Sequence, residues 1–121
     1  MPITKAQLKH MYENLADVFD RSARNLGQAA TELYQDIIDG LPEQEQADAA
    51  ENYGPGVARD ERIRTIEGKL QDLEPAAQSE FASEEAKKFI EKLKNLRDIL
   101  KVQRALMEVT DTFRAIARGL C

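Results

Sequence analysis

His10 and Cys121 are the only histidine and the only cysteine in this 121-residue sequence. Zinc and similar ions take several His, Cys or carboxylate ligands, and nucleophilic catalysis needs an oriented base. One histidine cannot build a His-based metal cluster within a chain. His10-Met11-Tyr12-Glu13 also runs opposite to the Glu-x-x-His order of di-iron bundles and occurs once. His10 therefore reads as a solvent-facing helix residue. Cys121 has no partner for an internal disulfide and reads as a terminal thiol. Asn52-Tyr53-Gly54-Pro55-Gly56 has glycines but lacks the Lys-Ser/Thr sequel of a phosphate loop, so it reads as a linker. Among 22 carboxylates, a pair placed by chance means little for acid–base chemistry. The expectation is no catalytic residue, no metal and no cofactor, and so no enzyme.

Charge is the next candidate for chemistry. The formal net charge of −5 is unevenly spread. Residues 1–56 carry four basic and ten acidic side chains, whereas residues 83–121 carry nine and six. Opposite ends of the chain can therefore attract when they pack. The basic cluster Lys87, Lys88, Lys92, Lys94, Arg97, Lys101 and Arg104 is interleaved with Glu84, Glu85, Glu91 and Asp98 at helical pairing distances. No aromatic residue sits on its polar side to stack a base, so nucleic acid is not the expected partner. The acidic residues Asp17, Asp20, Glu32, Asp36, Asp39, Glu43 and Glu45 support an alternative, an inhibitor that mimics nucleic acid toward a basic protein. No stretch approaches 18 apolar residues, so no membrane span is expected. The start of the sequence has no apolar run, which suggests a cytoplasmic protein.

The elements that must position these residues are helices. The size suits one domain over 1–121. Thr4-Lys5-Ala6-Gln7 fits a capping box, flanked by Ile3 and Leu8 at the spacing of a hydrophobic staple. Leu8, Tyr12, Leu15, Phe19, Leu26, Ala30, Leu33 and Ile37 then follow one helical stripe, beside a small-residue row of Ala16, Ala23 and Ala30. Gly40 and Pro42 end this first helix, which spans about 4–39. Residues 43–51 suit a short wet helix. A middle helix over about 57–74 has Ile63, Ile66, Leu70 and Leu73 as its stripe, with Pro75 ending or kinking it. Ser83, followed by Glu84 and Glu85, starts a last helix over about 83–118. The fold class is all-α, an elongated helical bundle of two long helices and a shorter middle one.

The last helix holds the feature that points to function. Its first half is apolar at Ala86, Phe89, Leu93, Leu96 and Leu100. Its second half is apolar at Val102, Leu106, Val109, Phe113, Ile116 and Leu120, a stripe rotated by about 100–150° from the first. Either the helix breaks near 101, or it continues and its halves meet different neighbours. The second neighbour could be the 43–51 segment, another protomer or a different protein. These six residues are the expected partner-binding face, and a homodimer is the first expected partner. The resulting expectation is a non-enzymatic protein–protein interaction or assembly module.

Overall fold

The computed structural model describes residues 2–120. Among them run four helices and no strand: α1 Lys5–Asp39, α2 Glu43–Tyr53, α3 Arg59–Ala77 and α4 Glu84–Gly119. The all-α bundle expected from the periodicity is present. The capping box forms as its spacing demands: the Gln7 amide donates to Thr4 Oγ1 at 3.1 Å, and the Thr4 amide donates to Gln7 Oε1 at 2.9 Å. Ser83 Oγ accepts from the Ala86 amide at 3.1 Å and starts α4. Segment 43–51 is helical within α2, with Pro42 just before it at φ −59°. Pro75 does not stop α3 at once; the helix continues to Ala77. Cys121 lies outside the described residues.

Two compact units emerge. One takes Gln28–Lys101; the other takes the chain up to Gly27 and from Val102 onward. α1 and α4 each supply a segment to both.

In the Gln28–Lys101 unit all four helices contribute to one core. Ala30, Tyr34 and Ile37 of α1 meet Ala49 and Tyr53 of α2, Ile63, Ile66 and Leu70 of α3, and Ile90, Leu93, Leu96 and Leu100 of α4. The middle-helix stripe is therefore core, as its three-four-three spacing requires. Ion pairs ring this core: Lys92–Asp36 at 3.0 Å, Lys94–Glu74 at 3.1 Å and Lys101–Glu67 at 2.6 Å. Cations of α4 thus meet carboxylates of α1 and α3. Each pair is half-exposed and contributes little by itself.

The α2–α3 turn is held by polar groups that hydrophobic periodicity cannot flag. Arg62 is buried, and its Nε donates to the Tyr53 carbonyl at 2.9 Å, satisfying an acceptor at the end of α2. The Tyr53 ring meets Tyr34 edge-on, with centroids 6.0 Å apart. Burial, with smaller contributions from the charges of neighbouring groups, pushes the Tyr53 phenol up to about 12. Gly54 is enclosed: a Cβ there would lie 2.6 Å from the Ala50 carbonyl oxygen and 3.1 Å from the Tyr34 hydroxyl.

Two glycines should respond to alanine with opposite signs. Gly68→Ala, in the open interior of α3, should raise unfolding free energy by about 0.5–1 kcal/mol. Gly54→Ala must displace backbone and should lower it by about 1–3 kcal/mol. Urea titrations of both variants check this. The raised Tyr53 phenol makes a further prediction. Its folded state holds the proton more tightly than the unfolded chain, so this contribution is complete below about pH 10 and is lost as pH rises toward about 12. Thermal midpoints measured across that window should fall, and Tyr53→Phe should flatten the fall.

Candidate protein interface

The second unit is a helix pair, the first half of α1 against the second half of α4. Its buried positions are Ala16 and Ala23 on α1 and Thr110 and Ala117 on α4. The seven-residue spacing of Ala16 and Ala23 marks the α1 side of the seam, where small side chains let the helix backbones approach closely. Gln103 Nε2 donates to the Ala23 carbonyl at 3.2 Å, and a Cβ on Gly27 would lie 2.7 Å from the same nitrogen. The buried Thr110 hydroxyl donates back to the Leu106 carbonyl at 2.8 Å, so it is satisfied within its own helix.

This seam explains the rotated stripe of α4. The helix is unbroken from Glu84 to Gly119. The inward positions of α4 are Leu93, Leu96 and Leu100 in the Gln28–Lys101 unit and half-buried Gln103 with buried Thr110 and Ala117 in the second. What changes after residue 100 is the kind of residue placed there. Large aliphatics give way to small and polar ones, and the large aliphatics move one position off the seam.

The six expected partner-binding residues are those displaced side chains. Leu106, Val109, Phe113 and Leu120 are half-buried; Val102 is 51% and Ile116 39% exposed. Phe113 reaches over the seam to Tyr12 and Phe19, with centroids at 5.7 and 5.6 Å. Part of this stripe is therefore covered by α1 of the same chain, and its outer edge is open.

Sequence periodicity missed the other half of this surface. Met11, Leu15 and Val18 of α1 are 48%, 41% and 53% exposed. Only Leu15 falls on the stripe expected for α1. With Leu8 they form a three-four-three row next to Tyr12 and Phe19, which is the signal that could have found them. In an antiparallel helix pair like flanks meet, so this row shares a face with the α4 stripe.

The opposite flank is charged. Arg114 Nη2 lies 3.5 Å from Asp20 Oδ2 and 3.7 Å from Asp17 Oδ1, and Arg24 pairs with Asp20 on its own helix. The charges of this helix pair thus lie mainly on one side and its large apolar groups mainly on the other, with Met107, 37% exposed, the exception on the charged side.

Little else looks like a chemical site. His10 is exposed. No group of three metal-ligating side chains converges among the described residues. A groove of about 470 Å³ beside Leu41, Leu73 and Phe89 is open, and Lys69 and Asp48 on its wall lie 3.7 Å apart. No family model matches the chain, and comparison with curated proteins and with solved structures returns no match.

The small-residue seam predicts a local response to size. Ala23→Leu adds bulk beside Gln103 and should destabilise this helix pair by about 1–3 kcal/mol, although leucine is a good helix former. Faster amide hydrogen exchange in 8–26 and 103–117, with 60–72 unchanged, is the expected pattern.

Proposed function

We propose that the chain is a non-enzymatic protein–protein interaction module whose working surface is the apolar face of the Gly27/Val102 unit. The observation that supports this reading is the position of large aliphatics beside a seam that holds alanine, threonine and glutamine. A helix pair evolved only to hold itself together would place those groups inside. On the flank they are only partly covered by this chain and offer the rest of their apolar area to another surface, at roughly 25 cal/mol per Å² removed from water. Leu106 and Phe113 lie nearest the seam and are the anchors; Val102, Val109, Ile116 and Leu120 widen the contact.

The charge distribution favours this reading over the acidic-mimic alternative. A mimic of nucleic acid needs carboxylates free to face a basic partner. Of the seven proposed for that role, Asp17, Asp20 and Asp36 are engaged with Arg114, Arg24 and Lys92. No helix among the described residues is long and apolar enough to cross a membrane.

The test is co-purification of a tagged chain from its native source, with wild type against Val102→Asp and Ile116→Asp, both exposed within one chain. The expected result is loss of most of the bound protein at unchanged helicity. Two folded variants that keep every wild-type partner would sink the proposal.

A further inference from the structure

We infer that the occupant of this face is a second copy of the same chain, docked face to face so that two helix pairs complete a four-helix bundle. This rests on the interface reading above and names its partner.

Electrostatics carries the argument first. A two-fold interface sets a patch against itself, so any net charge on it meets its own sign. The chain is 32% charged overall. Yet the seam edge and flank on this side carry no charge from Leu8 to Leu26 or from Val102 to Leu120. On α1 they hold Leu8, Met11, Tyr12, Leu15, Val18 and Phe19, followed by Ser22, Asn25 and Leu26. Arg21 on α1 and Glu108 on α4, one of each sign, stand at the border. A basic or acidic partner finds nothing here to pair with, whereas an identical neutral face docks without repulsion.

Shape and size agree. Val102 to Leu120 spans about 27 Å at 1.5 Å per residue, and two adjacent helices are about 20 Å wide. That footprint is on the order of 500 Å² in plan. Side-chain relief raises it toward the roughly 800 Å² per partner of a stable interface. Both rows also carry three-four spacing, which interdigitates with a copy of itself at the shallow crossing angle of helix bundles. Two helices alone bury only their seam, while four bury the flanks as well.

Light scattering and sedimentation equilibrium on the purified chain provide the test. The expected mass is twice that of the chain across the micromolar range. Val18→Asp with Ile116→Asp should weaken association by roughly a hundredfold or more, because each charge would be buried against its own sign. Both sites are well exposed within one chain, so helicity should stay at the wild-type level. A chain carrying Val18→Lys with Ile116→Lys should likewise be monomeric, and mixing the acidic and basic chains should restore the dimer. That rescue separates interface repulsion from misfolding. A monomeric wild type, a dimer that survives the aspartates, or folded variants that fail to rescue each other would overturn the inference. None of those results would bear on binding of a different protein, which the native-source co-purification reads separately.

Discussion

Two packed helices can hide only one stripe of each, and a stripe made of alanine hides little. That constraint governs the pairing of α1 up to Gly27 with α4 from Val102. The buried positions there are Ala16, Ala23, Thr110 and Ala117. Small groups bring the backbones close enough for Gln103 to reach the Ala23 carbonyl, which fixes the register of the pair. The same closeness pushes bulky side chains to the flanks. Phe113 covers part of the gap by resting on Tyr12 and Phe19, and the remaining aliphatic edge stays open.

The Gln28–Lys101 unit meets the same constraint with more helices. Leu93, Leu96 and Leu100 occupy the seam of α4, and α2 and α3 supply Tyr53, Ile63, Ile66 and Leu70 to cover them. There the large side chains are inside because four helices surround them. Arg62 shows what this closure requires. Bringing α2 and α3 together leaves the Tyr53 carbonyl away from water, and a buried guanidinium satisfies it. The difference between the units is thus one of helix number, and it is why one has a filled core and the other an open apolar edge.

Charge follows packing in both. The acidic first half of the sequence and the basic last helix meet as Lys92–Asp36 in one unit and as Arg114 with Asp17 and Asp20 in the other. These pairs are weak singly, but they sort polar from apolar sides. Sorting leaves one face of the Gly27/Val102 unit without charge, and the proposed interface follows from that asymmetry.

The four helices and their caps were legible in the residues alone, because each depends on local spacing. Thr4 with Gln7, the stripe Ile63-Ile66-Leu70, and Ser83 before Glu84 act within one or two turns. The six-residue face from Val102 to Leu120 was visible for the same reason. What only the tertiary structure decided is which stripe is the seam. The hydrophobic stripe runs through Leu15 and Leu106, and the small-residue row of Ala16 and Ala23 beside it reads as a place where a neighbouring helix can come close. Close helix approach weighs residues by size, and it placed Ala16, Ala23 and Thr110 inside. Arg62 against the Tyr53 carbonyl and the sorting of charge to one flank depend on a neighbouring helix, and no single helix's sequence can report them.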